Sequence, residues 1–365
     1  ARSACSATPR PSPSPGPPRG ERRGARPADG GPPGCAEARG LRGRGRVGVS
    51  ALVEAEGLSR SFSVRRGLLA RAAELRAVAD VSLALDRGEA VGVVGESGCG
   101  KSTLGRLMLG LIAPTRGRVV FDGAPLSTGG GARRRALRRR MQMIFQDPFG
   151  SLDPRRSVGA QIADGLRVHR IVPAEQAGPE VARLLDLVGL DPRAAGRLPH
   201  EFSGGQRQRI AVARALATRP DFIVADEPVS ALDVSIQAQI VNLLADLRAE
   251  LGLALLFISH DLHVVRHLCD RIVVMYLGRV VEEGPARRVF EAPAHPYTRS
   301  LIDATPSIRR RDPGRPLEGE LPSPLDPPSG CRFRTRCPIA QARCAEDVPP
   351  LAPRGPGRRA ACVNP

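Results

Sequence analysis

The chain has no tryptophan, two tyrosines and nine phenylalanines among 365 residues, and Lys101 is its one lysine although it carries 55 basic side chains. No window of eighteen apolar residues occurs. The longest apolar runs, LALLFI (Leu253–Ile258) and IVVMYL (Ile272–Leu277), have the length of buried strands, so the chain reads as one that does not span a bilayer. Residues 1–50 lack almost every bulky apolar side chain and any apolar run of signal-peptide type. We expect them to form a disordered extension rich in Arg, Pro and Gly, with no secretory signal. Tight C-x2-C knuckles are missing too. Of eight cysteines, four lie in the last thirty-five residues, which without a secretion signal points to metal ligands or free thiols rather than disulfides.

What is present fits a globular chain. A hydrophobic content of 41% suffices for a sizeable core, and the length allows two domains. The net charge of +18 is mostly peripheral: residues 1–50 contribute +7 and residues 309–365 contribute +5, and the run RRRALRRR (Arg133–Arg140) equals the remaining +6. Short arginine runs of this kind are usually solvated helix faces, so no nucleic-acid partner is expected. Val- and Ile-rich runs alternate with helical patterns, the pattern of an α/β chain with a mostly parallel sheet. AVGVV (Ala90–Val94), DFIVA (Asp221–Ala225) and ALLFIS (Ala254–Ser259) read as buried strands, and residues 150–217 as a helical insert. No internal repeat is visible.

The lone lysine stands in GESGCGKST, where Gly95, Glu96, Ser97, Gly98, Cys99, Gly100, Lys101, Ser102 and Thr103 fit G-x-x-x-x-G-K-S/T between a buried strand and a helix. The glycines let backbone N–H groups curl around phosphates, and the helix N-terminus adds positive partial charge. Lys101 would reach the β- and γ-phosphates and Ser102 would ligate Mg²⁺. A planar guanidinium is too bulky for that task, which explains why lysine is kept here while arginine is used everywhere else. In DFIVADEP, Asp226 is suited to Mg²⁺ and Glu227 to acting on an attacking water. Ser203, Gly204, Gly205 and Gln206 in HEFSGGQRQRIAVARAL head another helix as a second phosphate nest. Gln146 in MIFQDP and His260 in FISHD each follow an apolar strand and could approach a γ-phosphate.

Taken in order, these segments resemble the ATP-binding cassette (ABC) ATPases. GESGCGKS looks like their Walker A loop, FIVADE like Walker B, FSGGQ like the signature, Gln146 like the Q-loop residue, SALD with Asp233 like the D-loop, and His260 like the switch histidine. Phe202 replaces the commoner Leu in the signature. That variant, together with QDPFGSLDPR, HPYTRSL (His295–Leu301) and the cysteine-bearing tail, resembles the oligopeptide/dipeptide importer ATPases from about residue 51 to the C-terminus. The resemblance implies a P-loop NTPase core with an N-terminal antiparallel β region. It divides the chain into a cassette over 51–291 and an importer-type extension over 292–365.

It further implies that two cassettes close head to tail and sandwich ATP between the Lys101 loop of one and the Ser203–Gln206 segment of the other. Glu227 would be the base, with Gln146, Ser102 and Asp226 near Mg²⁺. Partners would be two membrane permeases, a second ATPase and, indirectly, an extracytoplasmic binding protein, with this chain peripheral on the cytoplasmic face of the membrane. Phe62 in RSFSVRRG is the candidate for stacking on adenine. Peptides are the expected cargo, with nickel, glutathione and other small solutes as the alternative. A soluble cassette acting on nucleic acid or ribosomes would usually carry two cassettes or a long coiled coil, neither of which occurs here. A non-hydrolysing ATP-binding regulator would not need Glu227, Gln146 and His260 together.

In the tail, Cys331, Cys337, Cys344 and Cys362 are spaced C-x5-C-x6-C-x17-C, and such long loops can wrap an object larger than a zinc ion. Some importer ATPases of this branch associate a [4Fe–4S] cluster with a similar tail. An iron–sulfur cluster is therefore the expectation, with zinc or four reduced thiols as alternatives. Its distance in sequence from the nucleotide motifs suggests folding of the tail or sensing of oxidation.

Overall fold

The computed structural model describes residues 51–65, 72–126, 130–305 and 319–364. By internal contacts the chain divides into residues 1–47, outside the described set, and Gly48–Pro365. The expectation of disorder over 1–50 therefore falls outside the described residues, as do residues 66–71 after Phe62.

The described strands are β1 (Val53–Val64), β2 (Ala73–Leu85), β3 (Ala90–Val94), β4 (Arg116–Phe121), β5 (Ala124–Pro125) and β6 (Met141–Ile144). The remainder are β7 (Phe222–Asp226), β8 (Ala254–Ile258), β9 (Arg271–Tyr276), β10 (Arg279–Pro285), β11 (Ala352–Pro353) and β12 (Arg359–Ala360). One sheet is antiparallel, in the order β2-β1-β4-β5. The other runs β11-β12-β10-β9-β3-β8-β7-β6, parallel from β9 to β6. Its inner strands β3, β7 and β8 are buried at every position, the consequence of covering both faces of a parallel sheet. The C-terminal extension adds β12 to β10 and β11 to β12, both antiparallel.

Helix Lys101–Met108 lies between the sheets. Leu104, Leu107 and Met108 are fully buried in a core with Val91 and Val93 of β3, Leu58 of β1, Leu83 of β2 and Phe121 of β4. Each such side chain contributes about 1.5–3 kcal/mol of apolar transfer, so this helix is firmly held. A second core packs helices Val158–Val168, Ala177–Leu187 and Gly204–Leu216 against the other face of the main sheet, within the stretch expected to be a helical insert. Helix Gly131–Arg140, which carries the arginine run, buries no residue.

Candidate nucleotide site

The loop after β3 requires its glycines. A Cβ on Gly95 (φ 151°) would lie 2.2 Å from the Met275 carbonyl oxygen, and one on Gly100 (φ 108°) 2.0 Å from that of Ala77. Any side chain there would push the loop off β9 and β2. Lys101 is 4% exposed, and its Nζ donates to the carbonyls of Gly95 (2.8 Å) and Glu96 (3.1 Å), so the ammonium stands inside the curl of the loop. Cys99 is buried beneath, and burial pushes its thiol up to about 11, which leaves it an unreactive packing group.

Three strand ends converge on this loop. Asp226, the last residue of β7, is buried and accepts from Ser102 Oγ at 2.7 Å. Burial raises its carboxyl pKa, partly offset by that hydrogen bond and by Arg106. A buried carboxylate beside a hydroxyl at the mouth of a phosphate loop is a donor set that fits Mg²⁺. Glu227 follows in left-handed backbone (φ 46°), a conformation non-glycine residues adopt at a cost of about 1–3 kcal/mol. Its N–H donates to Ile258 O at 2.9 Å, which ties the bend to the end of β8. Glu227 Oε1 is 4.0 Å from Lys101 Nζ, and Oε2 is 3.4 Å from His260 Nδ1 and 3.2 Å from the donor Gln146 Nε2. Residues 101, 146, 227 and 260 thus meet although they come from four separate segments.

Phe62, Leu75 and Ala77 complete a cleft of about 390 Å³ with Ser97, Gly98, Gly100, Lys101, Ser102, Thr103, Gln146 and Glu227. Phe62 of β1 is half-buried at its wall, and the Arg60 guanidinium lies 4.7 Å from its ring centroid. The contact with Arg60 was not anticipated. An i, i+2 pair on one strand face was the signal available for it.

Among the described residues lining this cleft, none comes from the Ser203–Gln206 segment. Ser203 is the N-cap of helix Gly204–Leu216. Its Oγ accepts from Gln206 N at 3.3 Å, its N–H donates to Gln206 Oε1 at 3.0 Å, and both side chains are exposed. Asp233, N-cap of helix Val234–Leu251, is also exposed. Both helix starts are thus exposed and lie outside the cleft.

The tail departs from expectation. Far from the nucleotide motifs in sequence, it reaches the phosphate loop in space: Arg336 forms a two-pronged ion pair with Glu96, and Tyr297 of helix Pro296–Ala304 accepts from the Glu96 N–H. Neither contact was anticipated, because nothing in the spacing of the motifs reports a partner two hundred residues away. The tail cysteines are free thiols, Cys344 buried and Cys331, Cys337 and Cys362 half-buried. Burial first, and then the neighbouring thiols, push Cys331 and Cys337 up. Among the described residues no group of three or more His, Cys, Asp and Glu side chains is placed to hold a metal ion, so ligand geometry lends no support to the zinc or iron–sulfur expectation. The tail is closed instead by apolar packing, with Phe333 buried against Tyr276, Tyr297 and His295.

Comparison with known proteins agrees with this geometry. Residues 78–230 match the ABC transporter family model, and residues 281–344 match that of the oligopeptide/dipeptide transporter C-terminal region. A peptide import ATP-binding protein of Brucella ovis is 50% identical over 315 residues, covering 86% of this chain and 98% of that one. The oligopeptide transport ATP-binding protein AppF of Bacillus subtilis is 47% identical over 317 residues, covering 85% and 96%. Among solved structures, the dimeric cassette MJ0796 bound to ADP and Pi superposes with a TM-score of 0.56 at 28% identity, covering 64% of this chain and 99% of that one. Among the described residues no helix is long and apolar enough to cross a membrane. With this likeness along most of its length and the convergence of Lys101, Asp226 and Glu227, the chain belongs to the ABC transporter ATPases of the oligopeptide/dipeptide importer family.

Proposed function

We propose that this chain is the ATP-hydrolysing subunit of a membrane importer for peptides, acting as one of two cassettes that close around ATP. The observation that carries the reading is the meeting of Lys101, Gln146 and Glu227 in one cleft, with Asp226 bonded to its lining residue Ser102 and His260 3.4 Å from Glu227. Lys101 exchanges its two carbonyl contacts for the β- and γ-phosphates, and backbone N–H groups of the loop and helix start cradle the rest. Ser102 and Asp226, assisted by Gln146, hold Mg²⁺, which when bound neutralises charge on the phosphate oxygens. Glu227 accepts the proton as a water oxygen bonds to the γ-phosphorus in line and the bond to the departing ADP oxygen breaks. Gln146 and His260 engage Glu227 Oε2 and leave Oε1 facing the phosphate side. Phe62 stacks on the adenine. The exposed Ser203 and Asp233 helix starts serve the partner cassette's nucleotide.

A groove of about 700 Å³ between the end of β6 and helix Val158–Val168 supports docking of the permeases. Its lining is mixed: Leu111, Phe145 and Val168, the last 62% exposed, stand beside Arg138, Arg156 and Asp164. In this reading the protein sits peripherally on the cytoplasmic face. Residues 51–291 form the cassette and 292–365 the extension, and an extracytoplasmic binding protein delivers cargo. Peptide cargo follows the relatives' names. The test is ATPase activity of the complex reconstituted with its two permeases. Stimulation by di- and oligopeptides is expected, whereas stimulation by nickel or glutathione alone would reassign the cargo.

The finer proposal for the tail is a [4Fe–4S] cluster on Cys331, Cys337, Cys344 and Cys362. What supports it is four thiols free of disulfides, of which Cys331 is influenced by the other three. Iron and acid-labile sulfide in anaerobically purified protein would bear this out. Protein with neither, after cluster-competent expression, would refute it.

A further inference from the structure

Glu96, second residue of the phosphate loop, is held from two sides by the C-terminal extension. Arg336 Nη1 and Nη2 donate to Glu96 Oε2 and Oε1 at 2.8 and 3.0 Å, a fork-to-fork pair, and the arginine side chain is 4% exposed. Tyr297 Oη accepts from the Glu96 backbone N–H at 2.9 Å. Main chain and side chain of a single loop residue are thus both fixed. The supports are themselves anchored. Tyr276 and Tyr297, the chain's two tyrosines, lie 4.6 Å apart between centroids, and both pack on Phe333 at 5.4 and 5.3 Å. Tyr276 Oη also accepts from Arg336 Nη1 at 3.5 Å.

The Glu96 carbonyl accepts from Lys101 Nζ, so a shift of residue 96 moves the acceptor that aims the lysine. We propose that Arg336 and Tyr297 are positioning residues for ATP binding: the extension is a strut that holds the phosphate loop in its receptive curl. Neither residue lines the cleft, so both act from outside it. The strut acts through Glu96. Its buried, charge-assisted pair resists displacement of the loop, because opening it would take the carboxylate from a guanidinium in a nearly dry site. A chain shortened before Arg336 would keep every nucleotide motif and bind ATP poorly.

The proposal rests on nucleotide binding by this loop, so ATP affinity of the full-length parent is measured first by calorimetry. A parent that binds no ATP would sink that reading and the strut together. With binding established, Arg336→Met, Glu96→Gln and the double variant are each expected to bind ATP about tenfold more weakly, the double no worse than the singles because both remove one contact. Arg336→Lys should recover part of the affinity. Tyr297→Phe, which keeps the ring packing, should weaken binding with little change in Tm. Should Arg336→Met fail to fold, Glu96→Gln, which leaves the tail's packing in place, carries the test with Tyr297→Phe. ATP affinity within twofold of the parent in the folded variants, or additive losses in the double variant, would overturn the strut.

Discussion

Gln146 donates its side-chain amide to Glu227 Oε2 at 3.2 Å, and His260 Nδ1 lies 3.4 Å from the same oxygen. One carboxylate oxygen is therefore engaged by two segments that follow different strands, while the other is 4.0 Å from Lys101 Nζ. These contacts aim the carboxylate, and its left-handed backbone holds it there.

Glu227→Gln keeps the shape and the amide contacts but cannot take a proton. ATP binding is expected to stay within about threefold of the parent and hydrolysis to fall by at least ~100-fold, with a closed dimer accumulating in Mg-ATP on size-exclusion chromatography. Parent-like turnover would remove Glu227 from the role of base.

Lys101→Arg tests the lone lysine. Nζ is buried between two loop carbonyls, where the larger planar guanidinium cannot enter without opening the curl. ATP affinity by calorimetry should fall by at least ~100-fold even though the charge is kept. Equal affinity would make the lysine an accident of composition.

Ser203→Arg separates binding from closure. Because the Ser203 segment does not line the cleft, dilute protein should bind ATP like the parent while hydrolysis falls about 100-fold. Ser203→Ala should in addition cost about 1 kcal/mol of stability through the lost cap. If Ser203→Arg lowered ATP affinity and activity in equal measure, the site would lie within one molecule.

His295 carries a pH dependence. It is 2% exposed, its Nδ1 accepts from Tyr297 N–H at 3.1 Å, and burial lowers its pKa from 6.5 to about 4. The imidazole is neutral in the fold and would be protonated in the unfolded chain below about pH 6.5, so its contribution is full above that value and is lost as pH falls toward 4. The shift corresponds to about 3 kcal/mol at most. Thermal melts from pH 7.5 to 4.5 should show a shallower acid decline for His295→Gln than for the parent. Parallel curves would assign the decline to carboxylates alone.

The nucleotide motifs were legible in sequence because each is local: a strand end, a turn that only glycine can make, a helix start. β3 coincides with AVGVV, and β7 and β8 lie within one residue of the runs read as strands. Burial on both faces of a parallel strand writes a continuous apolar run that can be read without knowing the neighbours. The meeting of Gln146, Glu227, His260 and Lys101 was inferred by resemblance and not by spacing, since strand order is absent from any single segment.

The tail was legible only in part. Cysteine spacing drew attention to ligation, while the ligand geometry offers no ion site among the described residues and the tail's firmest polar contact is Arg336 on Glu96. By itself the sequence determined which backbone could cradle phosphate and which side chains could act on water, since glycine conformation and side-chain chemistry are properties of single residues. Only the tertiary structure decided what stands beneath the loop: the pairing of β12 with β10 and the packing of Phe333 on the two tyrosines bring a distant arginine to Glu96, and such long-range contacts arise from the whole core rather than from any stretch of chain.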